Sequence, residues 1–366
     1  MNTLKDTSYM LMAYALAEKA IGWTSPNPYV GAVIVKKDAI VGYGYHKKIG
    51  TPHAEAIALK RAGSLAKGSI AYITLEPCLH WGRTPPCVDM IINANLKRVV
   101  ISSPDLNPLV YKKSIEKIRC AGIPLSLGLL ENKNSQLNEI YIKYITQNKP
   151  FVIGKVAMSL DGKIATKTLD SQWISSPSEI EYSHLLRGEV DAIMVGINTL
   201  IKDDPLLTVR HPNWKDKRIT RIILDTKLRF PLKAKMLDTL SKGRIIVFTL
   251  KNNSQKKADI LRKKGVEVIV LTNSSSRIDL KEVLSWLGQH EISSILVEGG
   301  ASLLTSFLEE KLLDKIFIIL SPKLIGGRNA PTFFQGKGVN FIKDATNLKK
   351  IKTFHEDNGF ILEGYF

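Results

Sequence analysis

Four side chains in the first quarter of the sequence have the types and spacing that a catalytic metal site needs. His53, Cys78 and Cys87 offer an imidazole and two thiolates, which are ligands that Zn²⁺ prefers. Three protein ligands leave a fourth coordination position open for water, as in a catalytic rather than a structural zinc site. Glu55 lies two residues after His53, on a different helix face, yet it can reach a water bound there. The pattern predicts hydrolysis assisted by zinc, with Glu55 as the proton carrier.

Each half of this pattern has a simpler explanation when taken alone. A His-Ala-Glu sequence at the start of an alanine-rich helix is usually exposed, and cysteines of a reducing compartment are often small buried hydrophobes. The two halves together, with Pro77 directly before Cys78, favour the metal site. The order H-x-E followed by P-C is that of the nucleobase deaminases, whose second cysteine follows after two residues. Here eight residues separate the cysteines, and Gly82 and Pro85-Pro86 require a loop between them.

The predicted elements bring these residues to one edge of a sheet. Thr51-Pro52 fits the start of a helix, so His53 and Glu55 lie at its positive end. A strand predicted over 70–75 delivers Cys78 at its carboxyl end, where open α/β sheets bind ligands. Cys87 opens the next predicted helix, over 88–95.

The run from Glu76 to Cys87 resembles the E-P-C-x-H-x-G-R-T-P-P-C motif of the bifunctional riboflavin-biosynthesis deaminase/reductase family. The resemblance implies a cytidine-deaminase-like α/β/α fold for the N-terminal part. It also implies that further motifs of the family mark the site of the pyrimidine substrate. The residues that it assigns to this substrate are Asn27, His46, Asp105 and Asn107.

One segment departs from the pattern of that family. The family sequence D-P-N-P-x-V-x-G-x-G corresponds here to Asp105 through Ser114, with Leu106 in place of a proline. Lys112 and Ser114 stand where the family has glycines. Because glycine lets the backbone approach a ligand closely, these replacements predict an altered or looser substrate pocket. They do not affect the metal ligands.

The second half of the chain alternates predicted strands and helices, as α/β domains with a mainly parallel sheet do. Strands are predicted over 192–195, 221–225, 244–249 and 266–271, with helices after Ser175 or Ser176 and over 255–264. Gly299-Gly300 follows a further predicted strand and opens a helix, whose free backbone amides suit a phosphate. A glycine pair alone is a weak sign of a cofactor site.

Motifs of the reductase half of the same family occur here in the family's order, so the resemblance spans roughly residues 6–330. It implies a dihydrofolate-reductase-like α/β domain that uses NADPH to reduce the sugar of the deaminated pyrimidine to a ribityl chain. The residues that it assigns to NADPH are Ala157, Trp173, Thr199, Asp203, Thr226, Gly300, Ala301, Ser302, Leu303, Leu304, Thr305 and Ser306. Those that it assigns to the reductase substrate are Ser171, Arg187, Leu207, Arg210 and Glu298. The guanidinium groups of Arg187 and Arg210 suit a phosphate, and Lys155 and Glu298 are candidate proton donors.

We therefore expect two domains, a zinc-dependent pyrimidine deaminase over 1–147 and an NADPH-dependent reductase over 148–366. A length of 366 residues is long for one domain, and Asn148-Lys149-Pro150 fits a boundary. The three cysteines provide no disulfide framework, and we find neither a secretory signal in the first ten residues nor an apolar run of membrane-spanning length. The expectation is a cytoplasmic homo-oligomer that acts on phosphorylated pyrimidines and has no membrane partner.

The formal net charge of +18, from 52 Lys and Arg against 34 Asp and Glu, is the best argument for a nucleic-acid partner. The lysine pairs are scattered along the chain and are not interleaved with aromatic residues, which favours a basic surface that attracts phosphorylated metabolites. Three alternatives stay open from the sequence. They are a nucleic-acid-editing deaminase, a reductase whose zinc domain is structural, and a binding module that zinc stabilises.

Overall fold

The computed structural model describes residues 3–79, 86–251, 253–272 and 276–366. The chain divides into two compact units, Met1–Asn148 and Lys149–Phe366, one residue from the predicted boundary. None of the helices in the described ranges is long and apolar enough to cross a membrane.

The first unit has a mixed sheet between helices. Its helices are α1 Leu4–Glu18, α2 Ala54–Ala62, α3 Cys87–Asn93, α4 Lys113–Cys120, α5 Glu131–Leu137 and α6 Glu139–Gln147, with a 3₁₀ turn at Gly63–Ala66. Its strands are β1 Gly31–Lys36, β2 Ala39–Tyr45, β3 Ile70–Ile73, β4 Arg98–Ile101 and β5 Leu125–Leu127. The strand order is β2-β1-β3-β4-β5. Strand β1 is antiparallel to β2 and β3, whereas β3, β4 and β5 run parallel.

Both faces of this sheet are covered, so alternate residues of β1 are buried in different clusters. Met10 and Tyr14 of α1 pack with Val33 on one face. Ala58 of α2 packs with Ile34 on the other face. Burial on both faces explains why the strand reads as a continuous apolar run.

Helix α2 lies unusually close to β2 because two glycines of that strand face it. A Cβ added to Gly42 would lie 2.2 Å from the carbonyl oxygen of Ala58. One added to Gly44 would lie 2.6 Å from the carbonyl oxygen of Ala54. The backbone of the helix therefore rests on the backbone of the strand, and this contact sets the depth of the helix that starts after His53.

The second unit contains a longer sheet. Its strands are β6 Phe151–Ser159, β7 Ala192–Gly196, β8 Thr220–Leu224, β9 Ile245–Leu250, β10 Val266–Leu271, β11 Ser294–Val297, β12 Lys315–Ser321, β13 Lys349–Glu356 and β14 Gly359–Tyr365. Its helices are α7 Pro177–Glu189, α8 Ile197–Asp203, α9 Gln255–Lys263, α10 Leu280–Gln289 and α11 Ala301–Glu309, with 3₁₀ turns at Pro212–Trp214, Lys235–Lys242 and Ile342–Asp344. The strand order is β10-β9-β8-β7-β11-β6-β12-β14-β13.

The strands from β10 to β12 in this order are parallel, and β14 and β13 add an antiparallel edge. The predicted α/β class with a mainly parallel sheet is therefore confirmed. Buried residues of the central strands and of α11, such as Met194, Val297 and Leu304, form its core. Strands β11 and β6 are neighbours in the sheet although a long segment of chain separates them. The ends of strands that are far apart in the sequence therefore meet at one edge of the sheet.

Candidate active sites

The predicted metal ligands converge in the first unit. His53 is the N-cap residue of α2, and Cys87 is the first residue of α3. The Nδ1 atom of His53 lies 3.5 Å from the sulfur of Cys78 and 3.3 Å from that of Cys87. The three ligand atoms lie within 4.8 Å of one another. The edges of a tetrahedron around Zn²⁺ with such ligands are roughly 3.6–3.8 Å long, so this donor set fits a zinc ion.

The two thiols differ in acidity because they share a hydrogen bond. The bond from Cys87, with support from His53, lowers the pKa of Cys78 to about 4. The same bond and burial raise the pKa of Cys87. The amide of Cys87 also donates to the sulfur of Cys78 over 3.3 Å. The lowered pKa favours the thiolate form of Cys78, which is the form that binds metal.

Glu55 lies in the first turn of α2 and is only 4 % exposed. Burial and the neighbouring Cys78 raise the pKa of Glu55 to about 7. Glu55 is among the groups that raise the pKa of the Cys87 thiol, so it lies next to the ligand cluster. A carboxyl group that titrates near neutral pH can both accept and release a proton under cellular conditions.

Two of the residues assigned to the pyrimidine lie beside this cluster. The side-chain amide of Asn27 is 3.4 Å from Nε2 of His46, and Nδ1 of His46 is 3.4 Å from the carbonyl oxygen of Pro52. The ring of His46 meets the ring of His53 edge-on, with centroids 5.2 Å apart. Burial lowers the pKa of His46. The neutral imidazole can therefore donate from Nδ1 and accept from Asn27, which fixes both side chains.

Asp105 and Asn107 belong to the loop between β4 and α4 and stabilise its shape. Oδ1 of Asp105 accepts hydrogen bonds from the hydroxyl of Tyr141, at 2.8 Å, and from the amide of Asn107, at 2.9 Å. Oδ1 of Asn107 accepts from the amide of Leu109 at 3.0 Å. Part of the hydrogen-bonding capacity of both residues is therefore used by other groups of the protein, in the loop and on α6. Residues 80–85, between the two cysteines, lie outside the described part.

The two glycine replacements in this loop have different structural effects. Ser114 is fully buried, and its hydroxyl donates to Oε1 of Glu76 over 2.8 Å. The Ser114 side chain therefore adds a contact inside the protein, and the altered or looser substrate pocket stays a prediction. Lys112 has a φ of 59°, in the left-handed region that a glycine enters without steric cost.

Replacing Lys112 with glycine is expected to stabilise the first unit by about 1 kcal/mol. The left-handed conformation costs an L-residue roughly 1–2 kcal/mol, from which the extra backbone entropy of glycine must be subtracted. Chemical denaturation of the full chain measures the change. Lys113→Gly is the matched control, because Lys113 is the first helical residue of α4 and glycine there lowers helix stability. A lower midpoint for Lys112→Gly would contradict the strain argument.

In the second unit, the predicted reductase residues lie at the carboxyl ends of neighbouring parallel strands. Ala157 is near the end of β6, Thr199 follows β7, Thr226 follows β8, and Glu298 follows β11. The amide of Gly300 donates to the hydroxyl of Thr199 over 3.3 Å, joining the ends of β7 and β11. This edge of an open α/β sheet is the usual place for a ligand.

Arg187 and Glu298 form a buried ion pair with two parallel hydrogen bonds. The distances are 2.8 Å from Nε to Oε1 and 2.7 Å from Nη2 to Oε2. Nη1 of Arg187 also donates to the carbonyl oxygen of Thr208 over 3.2 Å. Burial opposes ionisation, but Arg187 and Lys155 nevertheless hold the pKa of Glu298 at about 2. The fork of Arg187 is thus occupied by a carboxylate, which weakens the interpretation of Arg187 as a phosphate clamp.

Arg210 is exposed and lies next to this pair. Its backbone amide donates to Nδ1 of His184 over 3.2 Å. Burial, together with the charges of Arg187 and Arg210, lowers the pKa of His184 to about 4, so the ring is neutral and can accept this bond. Lys155 is half-buried beside Glu298 and Arg187, and desolvation lowers its pKa.

The remaining predicted reductase residues lie in the segments that connect the strands. Trp173 is 68 % exposed, and its carbonyl oxygen accepts from Nζ of Lys323 over 2.6 Å. Ser171 lies in the same segment, where its carbonyl oxygen accepts from the amide of Ile174. Asp203 ends α8, and Leu207 is buried with a φ of 50°.

The run assigned to the cofactor from Gly300 to Ser306 is only partly available to a ligand. Gly300 is the N-cap residue of α11, and the first turn, with Ala301, Ser302 and Leu303, starts at the sheet edge. Leu304 is 0 % exposed and belongs to the core. The hydroxyl of Thr305 accepts from the amide of Gln335 over 2.8 Å. We therefore expect the cofactor to contact side chains in the first turn of α11 and not the side chain of Leu304.

Sequence reasoning missed two residues that organise these sites. Glu76 is buried and hydrogen-bonds the loop from Asp105 to Ile115, although its place directly before Pro77-Cys78 gave a signal. His184 supports Arg210 from α7, and no motif marked it. Both act through tertiary contacts that spacing in the sequence does not reveal.

Two known families match different parts of the chain. Residues 3–103 match the family described as cytidine and deoxycytidylate deaminase zinc-binding region, and residues 150–362 match the RibD C-terminal domain. The chain is 49 % identical over 354 residues to the riboflavin biosynthesis protein RibD of Aquifex aeolicus, covering 96 % of each chain. It is 36 % identical over 357 residues to RibD of Escherichia coli, covering 94 % of this chain and 95 % of that one.

Solved structures give the same result over the whole chain. RibD of Acinetobacter baumannii superposes with a TM-score of 0.89 at 35 % identity, covering 99 % of this chain and 98 % of that one. A diaminohydroxyphosphoribosylaminopyrimidine deaminase/5-amino-6-(5-phosphoribosylamino)uracil reductase of Thermotoga maritima gives 0.85 at 34 % identity, with the same coverage. The predicted family and fold classes are confirmed. The chain belongs to the RibD family of riboflavin biosynthesis and is a bifunctional enzyme, a zinc-dependent deaminase joined to an NADPH-dependent reductase.

Proposed function

We propose that this enzyme deaminates 2,5-diamino-6-(5-phosphoribosylamino)pyrimidin-4-one and then reduces the ribosyl group of the product to a ribityl chain. The Thermotoga maritima relative is named for these two reactions, and it matches the chain over nearly its full length. The convergence of the His53 imidazole on two cysteine sulfurs, with Glu55 on the same helix, is the observation that carries the deaminase half of the proposal.

In the deaminase site, His53, Cys78 and Cys87 would hold the zinc ion. The chemistry that zinc supplies when bound there is activation of the water that attacks the amine-bearing ring carbon. Glu55 takes one proton from this water and delivers it to the ring nitrogen. After the hydroxyl group has added to the ring carbon, Glu55 takes the second proton from that hydroxyl and gives it to the amino group, whose bond to carbon breaks as ammonia leaves. Its burial in the first turn of α2, two residues after the ligand His53, supports this role.

The proposed substrate contacts surround that centre. Asn27 and His46 orient the pyrimidine from one side, since they already hold each other through a hydrogen bond next to His53. Asp105 and Asn107 approach it from the loop after β4. The structure supports this second pair less directly, because their described side-chain contacts are with Tyr141 of α6 and with backbone amides of the loop.

In the reductase site, NADPH supplies the hydride for the ribose C1′ when it is bound, and the protein orients the reactants. Ala157, Trp173, Thr199, Asp203 and Thr226, with the first turn of α11, would receive the cofactor. Ser171, Leu207, Arg210 and the Arg187–Glu298 pair would receive the sugar phosphate.

The arginines of this site have different proposed roles. Arg210 is the better phosphate ligand, because it is exposed while the fork of Arg187 is bound to Glu298. Arg187 in turn keeps Glu298 ionised and oriented. Lys155, half-buried beside this pair, is a candidate proton donor.

The test uses purified, zinc-loaded protein and the diamino substrate, with ammonia and NADPH followed separately. Ammonia is expected with or without NADPH, and NADPH is expected to be consumed only after ammonia has appeared. A reductase with a structural zinc domain would release no ammonia but would consume NADPH when given the deaminated product. Deamination of RNA, with binding that weakens in salt, would instead indicate a nucleic-acid-editing enzyme.

Removing zinc with a chelator is expected to abolish deamination and to leave reduction of the deaminated product unchanged. The physical reason is that the described ligands belong to the first unit, whereas the reductase residues belong to the second. Ammonia release, NADPH consumption and metal content are measured before and after zinc is added back. Equal loss of both activities would contradict a metal role confined to deamination.

We also propose that the enzyme is a cytoplasmic homo-oligomer without a nucleic-acid or membrane partner. Cys78 and Cys87 form no disulfide in the structure, and the cytosol keeps cysteines in this reduced form. The exposed Phe341 and Ile342 are apolar groups that a second subunit could cover. Light scattering at several protein concentrations determines the oligomeric state.

A further inference from the structure

Glu76 lies two residues before the zinc ligand Cys78 and is only 3 % exposed. Its backbone amide donates to the carbonyl oxygen of Ser103 over 2.9 Å, just beyond the end of β4. The chain that leads to the metal ligand is therefore tied to the chain that leads into the loop of Asp105 and Asn107.

The side chain of Glu76 makes a second and stronger connection. Oε2 accepts from the amides of Asp105, at 3.1 Å, and Lys112, at 2.9 Å. Oε1 accepts from the hydroxyl of Ser114 at 2.8 Å, and from the amides of Ser114 and Ile115 at 3.1 and 3.4 Å. One carboxylate thus joins the beginning of the loop, its end and the first turn of α4. A buried carboxylate with several donors holds its neighbours rigidly, because each lost bond leaves a polar group unsatisfied.

This carboxylate also replaces the missing cap of α4. Lys112, the N-cap residue, offers no side-chain hydrogen bond to the helix. Glu76 instead accepts from amides of the first turn, where a negative charge is favoured by the helix dipole. Glu76, which lies on the segment that carries the zinc ligand Cys78, therefore positions the start of α4 and the loop before it.

We infer that Glu76 is a positioning residue of the deaminase, which sets the distance between the metal-ligand segment and the substrate loop. The inference rests on the proposed contact of Asp105 and Asn107 with the pyrimidine. Glu76 does not touch the reacting atoms in this assignment. Its loss should therefore displace the loop and weaken substrate binding while the zinc ligands stay in place.

The experiment compares Glu76→Gln, Ser114→Ala and the control Glu116→Gln in the full-length, zinc-loaded enzyme. In the wild type, Oε2 of Glu76 accepts two hydrogen bonds and Oε1 accepts three. In Glu76→Gln, an NH₂ group, which cannot accept them, replaces one of these oxygens. The KM for deamination is expected to rise roughly tenfold or more, and by a few fold in Ser114→Ala, which removes one donor. Glu116→Gln removes the same charge from an exposed site on α4 and should keep the wild-type KM.

Three further measurements separate positioning from a structural effect. Zinc content and reductase kcat/KM should equal those of the wild type in both variants, and kcat for deamination should change much less than KM. A wild-type KM in a zinc-replete variant with a lower melting temperature would overturn the inference. Loss of zinc together with kcat would also overturn it, because Glu76 would then support the metal. If Glu76→Gln does not fold, the KM of Ser114→Ala decides.

Variants of the loop distinguish this inference from the substrate assignment. Asp105→Asn and Asn107→Ala should raise the same KM if these residues contact the pyrimidine. If they raise it while Glu76→Gln and Ser114→Ala do not, the positioning role fails and the substrate assignment stands. If none of the four variants changes KM, the substrate assignment itself is wrong.

Discussion

Glu55→Gln is expected to lower kcat for deamination by about 10²–10⁴-fold while the protein keeps its zinc. The amide has nearly the size of the carboxyl group, so the buried first turn of α2 can accommodate it. It cannot take a proton from water or deliver one to ammonia. Ammonia release at saturating substrate measures the loss, and elemental analysis measures the zinc.

The reductase activity of the same sample is an internal control, because the reductase residues lie in the second unit. Reduction of the deaminated pyrimidine should proceed at the wild-type rate. If the variant deaminated at a similar rate to wild type with zinc bound, Glu55 would not be the proton carrier. A variant without zinc would mean that Glu55 supports the ligand cluster.

Glu298→Gln is expected to abolish reduction and to destabilise the second unit by about 3–5 kcal/mol. The substitution leaves the guanidinium of Arg187 buried without its charged partner, and breaking a buried pair from one side costs about this much. Denaturation of the full chain and NADPH oxidation provide the two measurements. Deamination should be retained.

A second ion pair in the same unit, between Arg244 and Glu267, is a control for charge and geometry. Arg244 and Glu267 make the same two-bond contact, with both distances 2.7 Å, but each side chain is about half exposed. Glu267→Gln should therefore cost only about 0–1 kcal/mol. Equal losses in the two variants would contradict the role of burial.

The Arg187–Glu298 pair also predicts how stability depends on pH. The pKa of Glu298 falls from its ordinary 4.5 to about 2 in the folded state. A depressed carboxylate pKa stabilises the fold fully above pH 4.5, and this contribution, about 3 kcal/mol, is lost as the pH falls toward 2. The wild type should lose stability in this window, and Glu298→Gln should lose correspondingly less.

Local patterns in the sequence were sufficient for much of the framework. Cys87 was expected to open a helix, and it is the first residue of α3. Ser176 was one of two predicted caps, and it forms a capping box with Glu179. Strand β10 has the predicted bounds, because a short apolar run between polar segments defines a parallel strand well.

Other features depend on contacts between distant segments and left no local signal. The hairpin of β13 and β14 was not predicted, since β13 is mostly exposed and lysine-rich, without the alternation of a half-buried strand. The replaced glycines at Lys112 and Ser114 suggested a change beside the ligand, but Ser114 faces Glu76. Leu304 lay within a motif carried over as a whole, although its helical position turns it into the core.

The backbone contact between α2 and the glycines of β2 restricts how the sequence of the enzyme can evolve. Any side chain at position 42 or 44 would wedge the helix outward and carry His53 and Glu55 with it. The chemistry is thus vulnerable at two sites that bear no functional group. We expect a substitution of Gly42 or Gly44 to abolish deamination, as a substitution of a zinc ligand would.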